Sequence, residues 1–323
     1  ERCVPKSNRA FRYISSPVNT TGTINDNLQE GATNKPGSTP NPKPGYGTHI
    51  TGGLSQNGFD VTQTGNSSMF EWNEANQDWD AITSTNDMNN DKMSVGDAYA
   101  LMIRGDRSTP LNSNTAVGPR TRLRFTGTLV TGERKVTAGN LSNTPGKYNL
   151  IANPYQAIVN AKDLIANDAT DLNSIIYVYD PTLGSQGGYL TIDLSDTNPS
   201  GTPYDNTGTK ANQFIPPNQA FFVETIDSNN DNTVSPSLTF KETYKNATED
   251  LVDTFSATNI LSKMHINLRR QPADVLVDGV TARFDAKNKK AVTNADADKF
   301  WNYGGSESVA LFNSDNYLSI EKR

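Results

Sequence analysis

Two dense patches of apolar and turn-forming residues interrupt an otherwise polar chain, and they constrain its fold more than any other feature. One is Asn153-Pro154-Tyr155; the other is Ile215-Pro216-Pro217-Asn218-Gln219-Ala220-Phe221-Phe222-Val223. Each joins side chains suited to a buried pleated surface to prolines that end regular pairing, so together they mark where buried strands lie. Around them only 34% of the 323 residues are hydrophobic, below the usual globular share. The missing apolar mass is replaced by Asn, Thr, Ser, Asp and Gly rather than by Lys and Glu, and that decides the class. Asn, Ser and Asp compete with a helical backbone and favour turns, while Thr, Tyr, Phe and Val favour strands. The expected fold is all-β: a larger β-sandwich or jelly-roll-like domain with long polar loops, and a second, smaller β-sandwich.

Alternation and short apolar runs predict strands over residues 11–18, 48–51, 98–105, 122–130, 148–154, 175–181, 188–194, 220–224 and 237–240. Residues 69–73 and 79–82 read as a hairpin about a turn at 74–78. Asn160 to Asn167 has helical propensity and a polar start, and a further short turn is expected at 294–300. Four prolines between residues 34 and 45 exclude a ladder there and predict a long surface loop. A β pattern restarts at 264–270 and 274–279, after a polar connector at 244–258, and ends in a hairpin of 308–312 with 317–320. This places a boundary near residue 243, giving domains 1–243 and 244–323. The second has about eighty residues, close to the lower limit for an independent sandwich. Its last strand has no visible partner in the sequence, so its sheet is expected to be completed by sequence outside this chain. The opening and closing residues read as those of an internal fragment of a longer, processed protein.

The net charge of −6 argues against a nucleic-acid partner, which would call for a basic face. Arg120, Arg122 and Arg124 would share one side of a strand as a solvated face or a contact for an acidic glycan or partner. Cys3 is the single cysteine, so no intrachain disulfide forms. No run reaches the about 20 apolar residues of a membrane-spanning helix.

Candidate chemistry is sparse, and the expectation is a non-enzyme without a cofactor. His49 and His265 have no metal-site spacing and read as locally bonded strand residues. Asp227, Asn229 and Asp231 put oxygens at alternate positions, as calcium loops do, but the loop lacks the glycine at its sixth position and the glutamate at its twelfth. It would be a calcium staple or a polar hairpin tip; residues 86–91 are a weaker case. Glu71 and Asp80 flank Trp72 and Trp79. Paired tryptophans across a hairpin suit packing, a glycan-binding platform or, with the two carboxylates, glycoside cleavage. Gly184-Ser185-Gln186-Gly187-Gly188 lacks the strand, elbow and helix of a hydrolase nucleophile and reads as a turn.

An ordered set of motifs carries a resemblance that spans nearly the whole chain. It comprises Glu1-Arg2-Cys3-Val4-Pro5, Phe11-Arg12-Tyr13-Ile14-Ser15-Ser16-Pro17-Val18, Tyr46-Gly47-Thr48-His49-Ile50-Thr51-Gly52, Gly58-Phe59-Asp60 and Arg104-Gly105-Asp106-Arg107. It continues with Leu150-Ile151-Ala152-Asn153-Pro154-Tyr155-Gln156, Tyr179-Asp180-Pro181-Thr182 and Pro216-Pro217-Asn218-Gln219-Ala220-Phe221-Phe222-Val223. The chain resembles large secreted, adhesin-like surface proteins of Bacteroidetes, particularly flavobacteria, in the region just upstream of a type IX secretion system C-terminal sorting domain. The resemblance implies export across the outer membrane to the cell surface, a structural, adhesive or gliding-associated role, and partners among the secretion translocon or shuttle components, reached through a C-terminal module absent here. It supplies no catalytic residues. Arg104-Gly105-Asp106, although similar to an integrin tripeptide, reads as a strand-end turn. The alternative is a carbohydrate-binding module of a secreted polysaccharide-degrading protein.

Overall fold

The computed structural model describes residues 1–4, 9–33, 44–87, 93–113, 118–136, 140–184, 187–197, 203–206, 213–246, 263–284, 291–302 and 307–322. The prolines of 34–43, the distal part of 86–91, Ser185-Gln186 and the connector beyond residue 246 lie outside the described residues. The protein is all-β, with layered sheets of sandwich type and little helix. Contacts divide it into two units. Unit 1 comprises Glu1–Gly132, Leu150–Gln156 and Pro217–Ala220; unit 2 comprises Glu133–Asn149, Ala157–Pro216 and Phe221–Arg323.

In unit 1 the strands are β1 (Arg2–Val4), β2 (Ala10–Ser15), β3 (Val18–Thr20), β4 (Met69–Asn73), β5 (Asp78–Ala81), β6 (Ala98–Ile103), β7 (Thr121–Leu123) and β8 (Gly127–Leu129). The main sheet runs β2-β6-β4-β5, all antiparallel, and β1-β7 and β3-β8 form separate ribbons. Alternation splits the main sheet cleanly. Ile14, Met69, Tyr99, Leu101 and Ile103 point to one side, where they pack with Val4, Ile24, Leu28, Ile50, Phe59 and Leu123. Each such side chain contributes roughly 1.5–3 kcal/mol by leaving water. A short helix, α1 (Ile24–Leu28), covers part of this core. It is held by a capping box in which Thr23 Oγ1 accepts from Asp26 N and Asp26 Oδ2 accepts from Thr23 N.

Asn153-Pro154-Tyr155 and the Asn218-Gln219 part of the second patch meet in unit 1. Asn153 N donates to Gln219 O (3.0 Å), Ser15 N to Asn218 O (3.3 Å) and Asn218 Nδ2 to Ser15 O (3.2 Å). Tyr155, fully buried, donates its hydroxyl to Gly132 O (2.5 Å). Asn218 takes φ +61, a left-handed conformation that Asn tolerates better than most residues. Residues 48–51, expected as a strand, are buried but join no ladder. Their N–H groups go to Leu28 O, the Asp60 carboxylate and Ser68 Oγ.

The remaining strands are β9 (Arg134–Val136), β10 (Tyr148–Ala152), β11 (Ile158–Asn160), β12 (Ala169–Thr170), β13 (Leu172–Asp180), β14 (Gly188–Thr197), β15 (Pro203–Asp205), β16 (Phe214–Ile215), β17 (Ala220–Thr225), β18 (Ser237–Phe240), β19 (Lys245–Asn246), β20 (Lys263–Arg270), β21 (Val275–Arg283), β22 (Ala297–Asp298), β23 (Leu311–Asn313) and β24 (Asn316–Lys322); they belong to unit 2, except residues 150–152 of β10 and Ala220 of β17. The central sheet has the order β10-β17-β13-β14-β15. The expected helix is present as α2 (Ala161–Asp168), with Asn160 Oδ1 accepting from Lys162 N and Asp163 N as the N-cap.

Two expectations about the C-terminal part meet a different arrangement. The last strand, β24, is internal to its sheet. It pairs parallel with β21 and antiparallel with β22 and β23, and the β23–β24 turn has the two positive φ values, Ser314 and Asp315, of a tight hairpin. Sequence had suggested that this strand lacked a partner because its longest pairing, to β21, spans nearly forty residues and is parallel. Contacts also break between Gly132 and Glu133 rather than near 243. Phe300 is the physical reason: it stacks flat on Tyr177 (4.2 Å, 9°) and meets Tyr148 and Tyr189 edge-on. Asn206 Nδ2 adds a buried bond to Gly279 O. Segments on either side of residue 243 thus share one core.

Candidate functional site

The side of the β2-β6-β4-β5 sheet opposite the unit 1 core carries an aromatic row. The register places Tyr13 opposite Ala100, Ala100 opposite Phe70, Phe70 opposite Ala81 and Trp72 opposite Trp79. Directly opposed residues share a face, so Phe11, Tyr13, Phe70, Trp72 and Trp79 all project to this side. Phe11 meets Phe70 edge-on at 5.9 Å, Trp72 meets Trp79 edge-on at 5.2 Å, and Tyr13 lies tilted against Trp79 at 5.2 Å. Tyr13 is buried, whereas Phe11, Phe70, Trp72 and Trp79 are half-buried. Such a row can stack on the apolar face of a sugar ring.

The four candidate residues of this hairpin do not converge. Trp72 and Trp79 come together, but Glu71 and Asp80 oppose each other on the other face, both exposed. Asp80 Oδ2 accepts from Asn73 Nδ2 at 2.8 Å, also on that face. The period of two separates the carboxylates from the rings, so these residues do not build one acid-plus-aromatic cleft.

At the Asp227 loop, the carboxylate faces inward to the loop's own backbone. Oδ1 accepts from Asp231 N (3.3 Å) and Oδ2 from Asn232 N (2.9 Å), while Asp231 Oδ1 accepts from Thr233 N (2.8 Å). Asn230 and Asn232 take positive φ. Asp227 and Asp231 thus shape a hairpin tip, with Asn229 exposed between them. Among the described residues, no group of three or more His, Cys, Asp or Glu is placed to hold a metal ion.

The basic triplet is dispersed. β7 is three residues long, so Arg120 and Arg124 fall beyond its ends. Arg124 pairs with Glu30 and lies over the Tyr46 ring (4.6 Å to the centroid), and the exposed Arg122 approaches the same ring at 5.6 Å. Arg104-Gly105-Asp106 is a strand-end turn: β6 ends at Ile103, Gly105 has φ +112, and Asp106 accepts from Gly45 N, Ser108 N and Ser108 Oγ.

Two polar clusters had no sequence signal. In unit 1, buried Asp60 receives Arg107 through both oxygens (2.8 and 3.0 Å), and Oδ2 also faces His49 Nδ1 (3.1 Å), Gln29 Nε2 (3.2 Å) and Ile50 N (3.2 Å). His49 Nε2 faces Thr109 O at 3.0 Å. Burial alone would push the Asp60 carboxyl up; the hydrogen bonds and charges of His49 and Arg107 outweigh it and hold it below its ordinary value. In unit 2, Tyr148 Oη donates to Asp298 Oδ2 (3.0 Å) and Asn173 Nδ2 to Glu224 Oε2 (2.9 Å). Burial, then the charge of Asp298, raises Glu224 against the opposing Asn173 bond, and burial raises the hydroxyls of Tyr148 and Tyr177. Phe300 packs into this group, which makes it part of the unit 2 core. A cavity of about 430 Å³ nearby is lined by Lys162, Ile165, Leu172, Asn173, Leu194 and Ile226, among others, with Lys162 its one titratable lining residue among those described.

A family model described as "Domain of unknown function (DUF8693)" matches residues 52–269, which take in the tryptophan hairpin, Asp60, Arg107 and the Asp227 loop. No curated protein and no solved structure matches the chain.

Proposed function

Since the chain belongs to the DUF8693 family, whose description assigns no activity, we propose a role from its surface: a non-catalytic, exported surface protein of structural or adhesive kind. The observation that carries this reading is the row Phe11, Phe70, Trp72 and Trp79 on the sheet face away from the unit 1 core. Rings held against one another on a paired sheet are already ordered, so a half-buried ring among them can stack on a sugar at low ordering cost. The separation of Glu71 and Asp80 from those rings favours binding over turnover at this face. The motif resemblance supports the route: type IX secretion across the outer membrane to the cell surface, with translocon or shuttle contacts made by a C-terminal sorting module, in an adhesive or gliding-associated setting.

The second reading, a carbohydrate-binding module of a polysaccharide-degrading protein, draws on the same Trp72–Trp79 pair. A glycan array probed with the whole chain tests both. Binding that falls at least tenfold in Trp72→Ala or Trp79→Ala supports the aromatic platform. Strong preference for one polysaccharide favours the module; retention on many glycans favours adhesion. An array without signal, or binding indifferent to both substitutions, removes the platform, and turnover of any bound glycan removes the non-catalytic reading.

A further inference from the structure

We propose that the cavity beside α2 in unit 2 is a binding site for a small hydroxylated carboxylate of sugar-acid type, taken either as the free acid or as the end of an anionic glycan. Its volume of about 430 Å³ lies in the range of roughly 300–1,000 Å³ typical of small-molecule sites. One wall is α2, where Lys162, Ile165 and Ala166 stand at the three- and four-residue spacing that shares a helix face. A second wall is β13. Its register against β17 shifts between Leu172 and Ile176, and this bulge breaks strict alternation, so Leu172, Asn173 and Ser174 all border the cavity. Leu194 and Ser195 of β14, Ile226 and the turn at Asn294-Ala295 complete it. Buried Ile165, Leu172 and Leu194, with half-buried Ile226, make much of the lining aliphatic.

The polar lining residues divide into spent and unspent groups. Asn173 Nδ2 donates to Glu224 Oε2 (2.9 Å) and to Asn294 O (3.3 Å), and its Oδ1 accepts from Ile175 N (3.3 Å). Ser195 Oγ donates to Asp193 Oδ1 (2.6 Å) and accepts from Lys322 Nζ (3.3 Å). By contrast, the ammonium of Lys162, the hydroxyl of Ser174 and the side-chain amide of Asn294 have no hydrogen bond or ion pair among the described residues. No carboxylate lines the cavity among those residues, and the ones beside its lining are held. Glu224 is bound by Asn173, Asp193 by Lys322 (2.6 Å) and Arg283 (3.5 Å), and Asp296 by Thr293 N and Lys322 N. Asp163, the next residue of α2, falls on another helix face and accepts from Asn160 Nδ2 (2.6 Å). Lys162 is thus a cation without a counter-ion at an aliphatic hollow, where low-dielectric walls concentrate its field on an entering anion. A carboxylate matches the ammonium, hydroxyls match Ser174 and Asn294, and the C–H face of a sugar ring matches the aliphatic lining. The site shares no residue with the aromatic row of unit 1 and stands or falls apart from it.

The test is calorimetric titration of the whole chain with sodium glucuronate, an oligoglucuronide and glucose at fixed ionic strength. The expected result is one saturable site for glucuronate, with glucose at least tenfold weaker. Lys162→Met keeps the aliphatic stem and drops the charge, and it should weaken glucuronate at least tenfold. Ala166→Leu fills the cavity from an exposed position of α2 and should weaken it as much. Ser174→Ala removes one hydroxyl partner and costs about threefold, whereas Lys135→Met, exposed on β9 and outside the lining, changes nothing. An oligomer tighter than the monomer by tenfold or more assigns the site to a glycan end; a smaller gain, or none, assigns it to the free acid. Lys162 has no partner to lose, so Lys162→Met melts with the parent. A melt well below the parent would make the lysine structural and overturn the proposal. Absence of saturable glucuronate binding, equal binding of glucose, or binding indifferent to Lys162→Met or to Ala166→Leu overturns it as well.

Discussion

Asp60→Asn is the sharpest probe of how unit 1 is held together. Among the described residues, the carboxylate accepts from two nitrogens of Arg107 and faces one each of His49, Gln29 and Ile50. Asp60 and Arg107 have fully buried side chains. An amide of the same shape removes the negative charge and turns one acceptor into a donor, so Arg107 is left as a buried cation facing an N–H. Breaking a buried ion pair from one side costs about 3–5 kcal/mol, a large part of the roughly 5–15 kcal/mol that holds a domain folded. With a urea slope of about 2 kcal/mol per M, the midpoint falls by about 2 M. The protein has three tryptophans, two of them in the β4–β5 hairpin of unit 1. Replacing the exposed Trp301 by Phe makes fluorescence report unit 1 alone.

The pH dependence follows with a fixed sign. The folded Asp60 pKa lies below its ordinary 3.8, so its contribution is complete above about pH 4 and disappears as pH falls through the folded value. Between pH 5 and 3 the parent therefore loses stability more steeply than Asp60→Asn, in which that group no longer titrates. The pair Asp60→Asn and Arg107→Met should couple by about 2 kcal/mol or more in a double-mutant cycle. A loss under about 1 kcal/mol together with an unaltered acid slope would refute the view that this cluster, rather than a ladder, secures residues 48–60.

Gly127→Ala and Gly132→Ala separate crowding from conformation. A β-carbon at Gly127 would overlap Asn19 O in the β3–β8 ribbon, whereas at Gly132 it meets open space at φ +77. Urea titration should give at least about 2 kcal/mol for the first and about 1 kcal/mol for the second; equal costs would contradict the close approach. Asn160→Ala removes the α2 N-cap and should cost about 1 kcal/mol, read in the same titration. Calcium at millimolar concentration should leave the melting temperature unchanged, because Asp227 already spends both oxygens on backbone N–H groups; a clear rise would show that the tip opens to bind it.

What was legible in the sequence was whatever repeats with a short period. The hairpin of β4 and β5 and the aromatic side of its sheet follow from alternation at Phe70, Trp72 and Trp79. The same alternation separates Glu71 and Asp80 from those rings, so the chemistry of neighbours in sequence misled where the period did not. Residues 48–51 look like a strand because their composition is that of one, yet side chains of Asp60 and Ser68 take their N–H groups. α1 is too short for a helical period, and its only trace is Thr23 with Asp26. Asp60 and Arg107 stand 47 residues apart, and no local spacing reports such a pair. The boundary near 243 rested on a change of composition, while Phe300 joins the segments by packing that composition does not encode.

The polar composition that implied loops also builds the interior, and Asn206 tests that conversion. It is fully buried. Its Oδ1 accepts from Thr191 N (2.9 Å), its Nδ2 donates to Gly279 O (2.9 Å), and its own carbonyl accepts from Thr281 Oγ1 (3.3 Å). One amide therefore ties β14 to β21 without any ladder between them. Asn149 acts likewise, donating to Val223 O and Thr225 Oγ1. Such residues satisfy backbone groups that a small apolar side chain would strand. Asn206→Ala leaves the Thr191 N–H and the Gly279 carbonyl without partners, at about 1–3 kcal/mol each, so a loss of about 2–5 kcal/mol is expected. Asn76, exposed at the β4–β5 turn, should stay within about 0.5 kcal/mol as alanine. Urea unfolding followed by far-ultraviolet circular dichroism compares the two. If both alanines cost the same, buried asparagine is a tolerated passenger in this chain, and its low apolar content must be offset by some other means.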